Sequence, residues 1–253
     1  MIDLLPPGIS PFVALALVAV SFATSALTAA FGIGGGVAML GALASTVEPT
    51  MVVAVHAVVQ IGSNIGRTVL QRVHVVWPIA ARFTFGSIFG IALGATLFVA
   101  LPVRVLLALI GVFILAMTWV PKPGIPGLER SGVVLGGAVS SVITMFVGAT
   151  GPFINAMLKV LGLERRQMVA TQAMCMTIQH TLKAVAFGLI GFSFGQWVPL
   201  MAAMIASGFA GTWLGTQLLE RMSERFFSIV LKTLLTLIAL DLLRQSLGVP
   251  LPF

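Results

Sequence analysis

Apolar residues run through the chain in ten segments, at 10–31, 35–47, 50–71, 75–99, 103–120, 131–147, 151–162, 167–190, 194–219 and 226–245. Short stretches rich in Gly, Pro and charge separate them. About 20 apolar residues cross a bilayer as an α-helix, which satisfies its own backbone groups where no water can reach them. The pattern predicts an all-α, polytopic membrane helix bundle. Two segments, 35–47 and 151–162, are too short to span. Each follows a glycine-rich interruption, Gly32-Ile33-Gly34-Gly35-Gly36 or Gly148-Ala149-Thr150-Gly151-Pro152. Each is therefore expected to pair with its predecessor as a re-entrant or discontinuous helix pair.

Pro121-Lys122-Pro123-Gly124-Ile125-Pro126-Gly127 cannot continue a helix and divides the chain near its middle. This gives a first transmembrane repeat at 1–121, a linker loop at 122–130 and a second repeat at 131–253. With an offset of 116, Gly32 falls on Gly148, Gly35 on Gly151 and Arg67 on Lys183. Further on, Trp77 matches Trp197, and Gly90-x-x-x-Gly94 matches Gly211-x-x-x-Gly215, an offset drift that a short insertion near 188–194 explains. Small-xxx-small spacing is also a general device for close helix packing in membranes. If each short segment is a re-entrant hairpin, each half crosses the membrane an odd number of times. The halves are then inverted, both termini lie outside, and most Lys and Arg fall on one face, as the positive-inside rule requires. Arg104 and Arg244 stand against that assignment.

Composition agrees with a membrane protein. Of 253 residues, 58% are hydrophobic and 8% charged, against about 25% charged in soluble domains. The formal charge of +7 comes mainly from basic residues in the short connections. With no basic helix and no aromatic platform, nucleic acid is excluded as a partner. The single cysteine, Cys175, lies in an apolar segment and reads as packing. Met1-Ile2-Asp3-Leu4-Leu5-Pro6-Pro7 has no basic region, so the first apolar segment is expected to belong to the mature fold. Trp77 and Trp197 read as interface anchors, with Pro78 and Pro199 in the first turn of their helices.

The interruptions are the strongest candidate for a site. Glycine tolerates broken backbone, and a helix starting just after the break points free N–H groups and a positive dipole end at it. That is an anion site made without charged side chains. Paired broken helices in two repeats are the usual mark of a transporter's binding site. Each break is followed by a helix with a polar stripe: His56, Gln60, Ser63, Asn64 and Arg67 in the first half, and Gln172, Met176, Gln179, His180 and Lys183 in the second. Polar groups in hydrocarbon must be paired or face water. The histidines can donate to an anion or titrate near neutral pH, while Arg67 and Lys183 either attract the anion or snorkel to the head groups. Thr150 and Asn155 beside the second break, and Ser25 and Thr28 before the first, can coordinate an oxyanion or satisfy freed backbone groups. The only acidic residue inside an apolar segment is Asp241, and this scarcity favours an anionic substrate over a cation. The candidate binding residues are thus Gly34, Gly35, Gly36, His56, Gln60, Asn64, Arg67, Thr150, Gly151, Pro152, Asn155, Gln172, Gln179, His180 and Lys183.

The Gly32-Ile33-Gly34-Gly35-Gly36 motif, followed by Glu48-Pro49 and a helix ending at Arg72-Val73-His74-Val75, resembles the TauE/SafE family of sulfite-exporter-like permeases, over nearly the whole chain. Pro152, where a further glycine is expected, departs from the cleaner motif. The resemblance implies alternating-access transport of a small sulfur anion such as sulfite, thiosulfate or sulfoacetate across a bacterial cytoplasmic membrane. It points to Gly34, Gly35 and Gly36, with Gly151 and Pro152 as their second-half match. Membrane lipid and the small anion are the expected partners, a homodimer is left open, and no cofactor or metal is expected. Two other readings compete: a membrane assembly or anchoring subunit that transports nothing, and a membrane-embedded enzyme, for which three histidines and one cysteine form no recognisable catalytic set.

Overall fold

The computed structural model describes residues 5–31, 34–99, 101–120, 132–218 and 224–249. The linker at 122–130 and the residues Gly32 and Ile33 lie outside the described residues. The protein is all-α, with no strand among the described residues. The described residues form ten α-helices in order: α1 (Pro11–Phe31), α2 (Gly35–Thr46), α3 (Pro49–Leu70), α4 (Trp77–Val99), α5 (Val103–Trp119), α6 (Gly132–Val147), α7 (Gly151–Lys159), α8 (Arg165–Leu189), α9 (Val198–Leu218) and α10 (Glu224–Ser246). Two 3-10 turns, Arg72–His74 and Gly195–Trp197, lead into α4 and α9. Each apolar segment read from the sequence corresponds to one helix.

Among the described residues, three stretches are long and apolar enough to cross a bilayer: Pro11–Ala29, Trp77–Val99 and Gly195–Gly215. Shorter apolar helices accompany them, and the protein is a multi-pass membrane protein. At 12 and 9 residues, α2 and α7 reach only about 18 and 14 Å at 1.5 Å per residue, well short of the roughly 30 Å hydrocarbon core. Lipid-facing side chains such as Phe85, Phe89, Leu93 and Leu97 stand exposed along one side of α4.

Helices pair closely where glycine removes the Cβ. A Cβ on Gly90 would meet the Ala138 carbonyl oxygen at 2.2 Å, which brings α4 against α6. A Cβ on Gly211 would meet the Phe22 carbonyl oxygen at 2.1 Å, which brings α9 against α1. Both are backbone-to-backbone approaches of the small-xxx-small kind. Elsewhere α3 packs on α8, and α5 on α10. The main core gathers Leu40, Val52, Ile110, Met204 and Leu242 from both halves of the chain. A second cluster seats Cys175 against Ile79, Phe83 and Ile154, a packing role for the thiol.

The tryptophans differ from expectation. Trp77 is exposed, but Trp197 is buried in the main core. It is therefore not an interface anchor, because the turn at Gly195–Trp197 folds its ring inward.

Candidate functional site

The starts of the two short helices face one another across a small cavity. Its walls are Thr28, Gly34, Gly36, Val37, Gln60, Asn64, Arg67, Ala149, Gly151, Pro152, Gln172 and Met176. They come from α1, α2 and α3 and from the start of α7, the residues just before it, and α8. At about 30 Å³ the cavity has room for one or two water molecules. A larger guest requires the walls to part.

Backbone geometry creates both starts. Gly34 caps α2 at φ 101°, and Gly148 turns the chain before α7 at φ 79°. An L side chain rarely adopts either conformation. No side chain caps α2 or α7. The first turn of α2, Gly35, Gly36 and Val37, holds the amides that precede the helical ladder, which begins with the Ala38 amide donating to the Gly34 carbonyl at 3.0 Å. The start of α7 is poorer. Pro152 has no N–H, and the Phe153 amide donates to the Thr150 carbonyl at 3.0 Å. Gly151 is left as the donor of that turn. The proline singled out in the sequence thus makes the two breaks unequal.

Of the fifteen candidate residues, Gly34, Gly36, Gln60, Asn64, Arg67, Gly151, Pro152 and Gln172 line the cavity. Gly35 does not. A Cβ there would sit 1.9 Å from the Thr24 carbonyl oxygen and 2.1 Å from the Thr28 hydroxyl. Its role is to let α2 lie against α1. Asn155 is also away from the lining, with a buried Oδ1 that has no partner. His56, Thr150, Gln179, His180 and Lys183 form a buried polar layer beside the cavity.

Within that layer, Thr150 donates to Gln179 Oε1 at 2.6 Å, and Gln179 Nε2 donates to the Ser140 and Ser141 hydroxyls at 3.2 and 3.0 Å. Lys183 Nζ donates to the Gly148 carbonyl at 2.8 Å and to Thr144 Oγ1 at 3.3 Å. His56 Nε2 lies 2.9 Å from the Gly36 carbonyl. A carbonyl only accepts, so toward Gly36 this nitrogen donates, while the Gln60 amide nitrogen, itself a donor, lies 3.3 Å from the same atom. The His56 and His180 rings meet edge to face, 5.6 Å between centroids. His56 Nδ1 and both nitrogens of His180 are buried without a hydrogen-bond partner.

At the cavity wall Arg67 Nη2 donates to Asn64 Oδ1 at 2.5 Å, and Asn64 Nδ2 to the Gln60 carbonyl at 2.7 Å. Arg67 Nε and Nη1 are buried and unpartnered. Among the described residues no acidic side chain is buried, and the ion pair they form is Asp241–Arg244 at 2.7 Å, far along α10. Two buried cations and two helix starts thus gather with no carboxylate to balance them. Such an excess of positive potential in a low-dielectric site favours a negative guest.

The model of the family described as Sulfite exporter TauE/SafE matches residues 17–242. The chain belongs to the TauE/SafE family. The match takes in α2, α7 and every residue named at the cavity. No curated protein and no solved structure matches significantly. Among the described residues of this TauE/SafE protein, no three His, Cys, Asp or Glu side chains group to hold a metal ion.

The sequence reading missed Val37 and Ala149 on the wall and the hydroxyls Ser140, Ser141 and Thr144 behind it. A signal for the hydroxyls was present: Ser140, Ser141 and Thr144 repeat Thr24, Ser25 and Thr28 at the 116-residue offset.

Proposed function

We propose that the protein is a secondary transporter that carries a small anion, a sulfur oxyanion or organosulfonate such as sulfite, thiosulfate or sulfoacetate, by alternating access. The observation that carries this reading is the gathering of Arg67, with two unpartnered donor nitrogens, and the starts of α2 and α7 around one cavity, with no acid buried among the described residues. The anion sits between the starts of α2 and α7. The amides of Gly36 and Gly151 and the side chains of Gln60, Arg67 and Gln172 hold it, with His56, Thr150, Gln179, His180 and Lys183 behind them. Charge-assisted hydrogen bonds of this kind are about twice as strong as neutral ones. The family supports the sulfur-anion class.

The chain works as two inverted repeats, 1–121 and 131–253, joined by the loop 122–130. The crossed pairing of α4 with α6 and of α1 with α9, through Gly90 and Gly211, supports this reading. Ala138, which Gly90 approaches, is 116 residues after Phe22, which Gly211 approaches.

Counterflow in proteoliposomes tests the function. Vesicles loaded with unlabelled thiosulfate, sulfite or sulfoacetate should accumulate the labelled anion at two pH values, and an Arg67→Met variant should not. Accumulation no greater than in protein-free vesicles, for every anion of the panel, would refute the reading and favour a subunit that transports nothing.

A further inference from the structure

Some contacts recur in the two halves at the 116-residue offset, and the basic residues do not share them. Ser25 Oγ meets Ser63 Oγ at 3.4 Å. Adding 116 to each number gives Ser141 and Gln179, which are bonded at 3.0 Å. The Gly36 carbonyl meets His56 at 2.9 Å, and Gln172, the counterpart of His56, donates at 3.1 Å to the carbonyl of Gly151, one residue before Pro152, the counterpart of Gly36.

The likeness stops at the basic residues. Arg67 and Thr28 both stand on the cavity wall. Arg67 reaches only Asn64 on its own helix, and Thr28 donates to the Thr24 carbonyl at 2.9 Å. Their counterparts Lys183 and Thr144 are closed on each other and on the Gly148 carbonyl, each fully buried. Other wall residues also map to contacts rather than to space. Asn64 corresponds to His180 and Gln172 to His56, and those two rings touch. Leu40 presses on Gly148 from the other side, its Cδ1 2.7 Å from where a Cβ would stand. At the basic residues, Arg67 borders the cavity where Lys183 is closed in.

We propose that Lys183, Thr144 and the Gly148 carbonyl form a latch that closes the path to the face opposite Arg67, and that its release makes Lys183 the anion's cationic ligand when the site opens to that face. This rests on the anion-transport reading and on the two-repeat arrangement given above. The physical reason is an exchange. A buried ammonium with no acidic partner must be satisfied by carbonyl and hydroxyl oxygens or by an anion. The latch and the anion are alternatives for Lys183, so the anion has the differential affinity for two states that any ligand-driven shift requires. When Lys183 turns to the anion, Arg67 closes toward Thr28, as Lys183 now closes on Thr144.

Single-cysteine reporters at the paired positions Thr28→Cys and Thr144→Cys, in a Cys175→Ser background in proteoliposomes, test the latch with a membrane-impermeant maleimide. With Lys183 present, Thr28→Cys should label from one face and Thr144→Cys hardly at all. Lys183→Met should raise Thr144→Cys labelling from the opposite face by about tenfold or more, the loss of one charge-assisted bond, and lower that of Thr28→Cys. A second measurement keeps Lys183 in place. Sulfoacetate, which does not react with the maleimide, applied to one side and then to the other should move the two labelling rates in opposite directions. Thr144→Cys that stays unlabelled in Lys183→Met, labelling of both positions from the same face, or rates that rise and fall together under sulfoacetate would each overturn the latch. Rates that ignore sulfoacetate while Lys183→Met still exposes Thr144→Cys would refute the anion reading instead and leave the latch standing.

Discussion

Arg67→Met separates binding from folding. The guanidinium is buried, bonded only to Asn64 and short of any acid, with Nε and Nη1 unpartnered. Replacing an unbalanced buried cation by an apolar side chain of similar volume is commonly neutral or stabilising. The substitution sacrifices the Asn64 bond, and Asn64 keeps its bond to the Gln60 carbonyl. The expected change in stability is within about 1 kcal/mol. Binding should respond differently. Hydrogen bonds from a charged donor contribute about 1.5–3 kcal/mol, so their loss should raise the dissociation constant by about 10- to 150-fold. Calorimetric titration of thiosulfate into purified protein measures the second quantity, and unfolding by SDS in mixed micelles measures the first. Unchanged affinity, or affinity lost together with several kcal/mol of stability, would refute the reasoning. In the first case the anion does not meet Arg67, and in the second Arg67 is a structural residue.

The other predictions are sharper for being paired. Gly35→Ala places a Cβ on the Thr24 carbonyl and should cost about 1–3 kcal/mol of stability by overpacking. Gly151→Ala meets only Met176 and Gln172, at 3.7 Å or more, so it should fold normally while slowing transport by about tenfold, a barrier of roughly 1.4 kcal/mol. Equal stabilities, by the same SDS unfolding, would contradict the geometry. Gly90→Leu should disrupt the α4–α6 seam and fail to yield a monodisperse protein in detergent, whereas Gly195→Ala, with nothing within 4 Å of an added Cβ, should behave as the parent in size-exclusion chromatography. Asp241→Asn breaks a partly exposed ion pair and should change stability by less than about 1 kcal/mol.

Much of the architecture was legible because hydrophobic run length, glycine and proline are local signals. The run at 50–71 became α3 at Pro49–Leu70, and the breaks at Gly34 and Gly148 are where the backbone turns to positive φ. The facing of helices is not a local signal. Gly34, Gly35 and Gly36 looked equivalent, yet Gly35 turns to α1 while its neighbours turn to the cavity. Trp197 kept the spacing of Trp77, but the 3-10 turn before α9 buries it. Arg67 and Lys183 occupy matching sequence positions, and only the packing of α2 and α6 around them distinguishes a cation with free donors from one held by a carbonyl.

The central claim is that an anion lies between the starts of α2 and α7. Selenite scatters anomalously and has the charge and shape of sulfite, so diffraction from selenite-soaked crystals locates it directly. The account predicts an anomalous peak within hydrogen-bonding reach of the Gly36 and Gly151 amides and the Arg67 guanidinium. A peak confined to the basic groove of His74, Arg165 and Arg166, with none between the two helix starts, would contradict it.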